Sequence, residues 1–138
     1  MSGTTTCRDY GTYNGKITID SGATLFVENY STGNELIANN DVINNGAITG
    51  ETGAEFAANG PSFVNNGSIS IYRLYFNDTT FISGTTFAGA NAYINNGGVV
   101  SILTDTYFPS IGTLTIYTGG ILNLNSRTLT FAAGTLSL

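Results

Sequence analysis

Nine carboxylates are the acid–base groups of this 138-residue sequence: Asp9, Asp20, Glu28, Glu35, Asp41, Glu51, Glu55, Asp78 and Asp105. Histidine and tryptophan are absent, and the one cysteine is Cys7. An imidazole base, a histidine-held zinc and a Ser–His or Cys–His nucleophile are therefore excluded. Asp20 and Glu51 stand at the same offset after a glycine, Gly15 and Gly46, so a repeat would stack them on one face. Two carboxylates about 5 to 9 Å apart are what glycoside hydrolysis needs. Both, however, fall in turns between strand patterns, where solvated acids are ordinary. The matching later positions are Tyr72, Leu103 and Tyr117. The expectation is a protein that is not an enzyme.

Binding chemistry is narrowed in the same way. The glycine-rich nonapeptide of calcium β-rolls is missing, and Asp41 and Asn77-Asp78 read as solvated turn residues, so no metal is expected. Gly119-Gly120 runs into Ile121 with no lysine nearby, which leaves no phosphate loop and no cofactor to hold. Arg8, Lys16, Arg73 and Arg127 are the basic residues, and the net charge is −5. That balance excludes nucleic acid, whose affinity comes from many Lys/Arg–phosphate contacts, and disfavours anionic membranes. The segment Tyr72-Arg73-Leu74-Tyr75-Phe76 is the candidate glycan patch, through Tyr72, Arg73 and Tyr75. Its structural alternative is a strand with Leu74 and Phe76 inward. Thr113/Thr115 and Thr128/Thr130 are similar to the flat faces of ice-binding solenoids, although only two such pairs are consecutive. Cys7 reads either as a small thiol near the N-terminus or as a covalent link to another chain.

The elements that would carry these residues are written as a repeat. Asn-Asn-Gly occurs in Val42-Ile43-Asn44-Asn45-Gly46, Phe63-Val64-Asn65-Asn66-Gly67 and Tyr93-Ile94-Asn95-Asn96-Gly97, with a weaker relative at Tyr13-Asn14-Gly15. An aliphatic–hydroxyl–aliphatic pattern follows, as in Ile17-Thr18-Ile19 and Ile69-Ser70-Ile71. Gly22, Gly53, Gly119 and Gly134 mark a second turn, each before another short strand pattern. Asn and Gly tolerate the left-handed backbone of sharp corners, and the two-residue alternation is that of a strand with one buried face. No helical period persists. The chain is expected to be all-β.

Asn-Gly also signals hairpins, so an antiparallel β-sandwich or jelly roll is the alternative. A single parallel β-helix, or β-solenoid, with imperfect coils and Asn-Gly corners is preferred, because the corners recur before the same strand pattern. The steps from Gly15 to Gly46, Gly67 and Gly98 each suit the length of a single coil. Stacked in that frame, Ile17, Ile48, Ile69, Val100, Leu114 and Leu129 form an inward column. Thr18, Thr49, Ser70, Ser101, Thr115 and Thr130 form an outward one. Residues 1–10 read as an N-terminal arm or cap and 11–138 as the solenoid.

The Asn-Asn-Gly-x-Ile-Thr phrasing, with Ser21-Gly22-Ala23-Thr24-Leu25, resembles the repeats of bacterial β-helical surface proteins. These are filamentous-haemagglutinin-like adhesins, autotransporter passengers and secreted repeat proteins of Bacteroidota. The resemblance implies an adhesive or structural role without a catalytic site.

Composition agrees with a surface protein. The chain is rich in Asn, Thr, Ser, Gly and Tyr, and only 9% is charged against about 25% in ordinary domains. No apolar run approaches the ~18–20 residues of a membrane span. The N-terminus lacks the basic-then-apolar pattern of a signal peptide, which leaves an intracellular protein or a mature segment, and the composition favours the second, located outside the cell or at its surface. The last strand pattern ends at Leu138 without a charged cap. Self-association is therefore expected, head-to-tail between copies or onto adjacent repeats of one polypeptide, with Cys7, Leu129, Phe131, Leu136 and Leu138 as contacts. The product would be an extracellular filament subunit or an adhesin stalk, and a carbohydrate-binding module is the alternative.

Overall fold

The computed structural model describes residues 3–7, 11–29, 35–84, 91–108, 113–131 and 135–138. Strands are numbered along the chain and fall on three sides of a coil. Face A holds β1 (Thr4–Cys7), β4 (Thr24–Val27), β7 (Ala47–Gly50) and β10 (Ser68–Ser70). Face B holds β2 (Gly11–Tyr13), β5 (Glu35–Ala38), β8 (Glu55–Ala58), β11 (Arg73–Phe76), β13 (Asn91–Ile94), β16 (Thr113–Ile116) and β19 (Thr135–Ser137). Face C holds β3 (Ile17–Ile19), β6 (Val42–Asn44), β9 (Ser62–Asn65), β12 (Thr79–Gly84), β14 (Val99–Ile102) and β17 (Ile121–Asn123). A two-stranded face D, β15 (Thr106–Phe108) with β18 (Leu129–Phe131), follows face C in the later coils.

Every strand pairing among the described residues is parallel, between strands of successive coils. The protein is a parallel β-solenoid, and the antiparallel sandwich is excluded. The segment expected as an arm or cap supplies β1, which pairs with β4.

The core follows from the alternation. Phe56, Phe63, Leu74, Ile94 and Ile102 are fully buried inside the coils. Phe63 meets Phe56 and Phe76 edge-on, with ring centroids 6.1 and 6.4 Å apart, within the range favoured by aromatic quadrupoles.

The inward column needs correction. Ile17, Ile48, Ile69, Val100 and Leu114 are buried, as expected, and Leu129 is partly so. They do not stack on one another, apart from Ile48 and Ile69. Ile17 pairs with Val42 on face C, Val100 with Leu122 on face C, Leu114 with Ala92 on face B and Leu129 with Thr106 on face D. The outward column is likewise divided among faces, and its Ser101 is buried, accepting a hydrogen bond from the Asn123 amide at 3.4 Å.

The reason lies in the corners. Asn44-Asn45-Gly46 and Asn65-Asn66-Gly67 turn the chain from face C to face A, whereas Asn14-Gly15 and Asn95-Asn96-Gly97 turn it from face B to face C. The step from Gly15 to Gly46 therefore carries the chain past one full coil and on to a different corner. The coils themselves differ in length. A short one runs from Glu55 to its partner Arg73, and a long one from Gly11 to its partner Leu36.

Two corners are held by asparagine ladders. At the turn into face A, Asn44 and Asn65 are wholly buried, and Asn44 Nδ2 donates to Asn65 Oδ1 at 2.7 Å and to the Ser68 carbonyl at 2.9 Å. Outside them Asn66 donates to Asn45 at 2.9 Å. Coils approach so closely here that a Cβ on Gly67 would overlap the Gly46 carbonyl oxygen. At the turn into face C, Asn39 donates to Asn14, Asn77 to Asn59 and Asn95 to Asn77. Among the described residues no buried side-chain polar atom lacks a partner.

Candidate functional site

The solenoid separates the carboxylates that the sequence suggested could stack. The ladder pairs Ile19 with Asn44 and Val27 with Gly50, so Asp20 lies over Asn45 and Glu51 over Glu28, at different corners. Glu51 instead accepts a hydrogen bond from the Asn29 backbone at 3.0 Å. Asp78 accepts from the Thr79 backbone at 2.7 Å, inside its own turn, and Asn77 belongs to the corner ladder. Among the described residues no group of three or more acidic or cysteine side chains could hold a metal ion. Thr115 and Thr130 sit on faces B and D, so the two Thr-x-Thr pairs do not adjoin.

Cys7 ends β1 in register with Val27, and its side chain and that of Phe131 lie outside the described residues. The other expected contact residues are at the C-terminal end. Leu129 is partly buried, Leu136 is 47% exposed and Leu138 is 91% exposed. Leu136 continues the inward column of Leu114, which is only 3% exposed. An apolar cavity lined by aliphatic and aromatic side chains, including Phe76, Ile94, Leu114 and Leu129, lies in the later coils.

The glycan patch lies on face B. Tyr72 is exposed, Arg73 and Tyr75 are half-buried on the outward side of β11, and Leu74 and Phe76 point inward. The Arg73 guanidinium pairs with the Glu55 carboxylate from β8 and lies 4.9 Å from the centre of the Tyr72 ring. Hydrogen bonding to Glu55 raises the arginine pKa above its usual value. The Tyr75 pKa is also raised, by burial first and by the Glu55 charge second.

Three residues that sequence reasoning did not join to the patch complete it. Glu55 is one. Tyr93, in register with Tyr75, stacks on it at 5.1 Å between centroids, and Tyr117 stacks on Tyr93 at 6.0 Å. A signal existed in the equal steps Glu55–Arg73 and Tyr75–Tyr93, which match the Asn59–Asn77–Asn95 ladder. Anchoring the repeat on glycine hid it.

No family model, characterised relative or solved structure matches the chain. Two features of the described residues bear on function: exposed leucines on the last described coil, Leu136 and Leu138, and the tyrosine row on face B.

Proposed function

We propose that this chain is an extracellular structural protein without enzymatic activity, a filament subunit in which copies add head-to-tail. The supporting observation is the state of the last coil. Its inward leucine, Leu136, is half exposed, and Leu138, two residues on, is 91% exposed. Strands β17, β18 and β19 each pair on one side only among the described strands. Unpaired strand edges template further pairing, and proteins that avoid this place charge at the edge. Here Arg127 is the sole charged residue beyond Asp105. The N-terminal edge offers β1, β2 and β3, also paired on one side among the described strands. Joining unlike ends is a heterologous contact that does not close, and it yields a fibre.

Sedimentation velocity over a concentration series tests this reading. Species growing in size with concentration are expected, and Leu136→Lys should return them to monomer. A wild-type monomer at every concentration removes the filament reading and leaves the stalk of a longer surface protein, where a further coil of the same polypeptide covers the edge. A distribution that stops at dimer would mean that two like ends meet.

A further inference from the structure

We propose that the outward side of face B is a binding site for a linear, uncharged polysaccharide lying along the solenoid axis over Arg73, Tyr75, Tyr93 and Tyr117. Arg73, Tyr75 and Tyr93 lie on strands paired on both sides, so this part of the site does not depend on end-to-end addition.

Three observations carry this. The first is repetition. Strands in a sheet are about 4.8 Å apart, so Arg73, Asn91 and Thr113, which share one register, present hydrogen-bonding groups at that step. A ligand that satisfies such a row repeats its own polar groups along its length. The second is charge. Arg73 is neutralised by Glu55, and the outward positions of β13, β16 and β19 are Asn, Tyr, Thr and Ser, all uncharged. Among the described residues of this stretch a polyanion would meet no unpaired cation, and Glu55 would repel it. The third is the backbone. The face B strands from β5 to β16 are paired on both sides, so a peptide finds no edge to join.

The ring geometry says how the ligand would be held. Centroids 5.1 and 6.0 Å apart with planes inclined by 27° and 11° are those of offset stacks. The rings therefore cover part of one another's faces. Tyrosine hydroxyls both donate and accept, and sugar hydroxyls do the same. Tyr117, which stacks on Tyr93 and is 50% exposed, offers ring surface on which the C–H groups of a sugar can pack.

Affinity electrophoresis through native gels containing soluble β-glucan, xylan, galactomannan or polygalacturonate tests the site. Retardation by at least one of the three neutral polymers is expected, and none by polygalacturonate. Tyr93→Phe keeps the ring and removes the hydroxyl. It should weaken retardation about fivefold, the equivalent of one hydrogen bond of about 1 kcal/mol. Tyr117→Ala should weaken it at least as much, and Phe81→Ala on face C should leave it unchanged. Melting curves accompany each variant to show that it is folded. The proposal is overturned if no neutral polymer retards the protein, if polygalacturonate retards it more than they do, or if Tyr93→Phe and Tyr117→Ala bind as the parent does.

Discussion

The middle coils and the last coil are built from the same alphabet and reach opposite states. In the middle, Phe56, Phe63 and Leu74 are sealed and the Asn44–Asn65 pair is fully buried and bonded. At the C-terminal end the inward Leu136 is half exposed, in the register position that Leu114 fills one coil earlier while almost fully buried. The strand pattern Thr135-Leu136-Ser137 is as good as Thr113-Leu114-Thr115. What differs is the neighbour. In a solenoid each coil is stabilised by the coils that flank it, so burial at the end depends on what is added next.

Variants in the middle should therefore cost most. Asn65→Asp places a carboxylate beside the Asn44 amide in a fully buried corner. A loss of about 5 kcal/mol is expected at neutral pH, because a buried charge without a counter-ion is strongly unfavourable. The sign with pH is definite. Burial raises the folded-state pKa of the new acid above its unfolded value of about 3.9, so stability falls as pH rises through that window and is recovered below it. Urea unfolding at pH 3.5 and pH 7 measures both limbs. Equal destabilisation at the two pH values would mean that the corner is hydrated.

Phe63→Ala removes the ring that Phe56 and Phe76 pack against and should cost about 3–4 kcal/mol. Leu136→Ala is the matched truncation at the end, and for the isolated chain its cost should stay below about 1 kcal/mol, since half of the side chain is already in water. Comparable losses at both sites would dissolve the contrast. Asn77→Ala breaks two rungs of the half-buried corner ladder, with Asn59 and Asn95, and should cost about 1 kcal/mol. Leu138→Ser, at a position 91% exposed, should fall within about 0.5 kcal/mol and change only association.

The same contrast marks what could be read from the sequence. Which side of each strand faces inward was legible, because Ile17-Thr18-Ile19 and its relatives encode burial strand by strand, and Ile17, Ile48, Ile69, Val100 and Leu114 are all inside. Which strands are neighbours was not. Asn-Gly serves two corners of the coil, and the coil that joins Glu55 to Arg73 is shorter than the one that joins Gly11 to Leu36. Equal motifs therefore do not imply equal positions. Gly15 and Gly46 look alike and turn different corners, and the supposed Asp20–Glu51 stack fell with that alignment. The Tyr72–Tyr75 patch was legible as a strand with two inward residues. Its extension to Tyr93 and Tyr117 depended on knowing that β11 and β13 adjoin.

Growth from the C-terminal edge is the central claim, and electron microscopy of the purified chain tests it most directly. If successive chains stack without a gap, fibres one solenoid wide should form, with strands about 4.8 Å apart and a subunit repeat of roughly 30 Å, and Leu136→Lys should abolish them. Isolated particles at every concentration, or fibres that persist unchanged in Leu136→Lys, would contradict it.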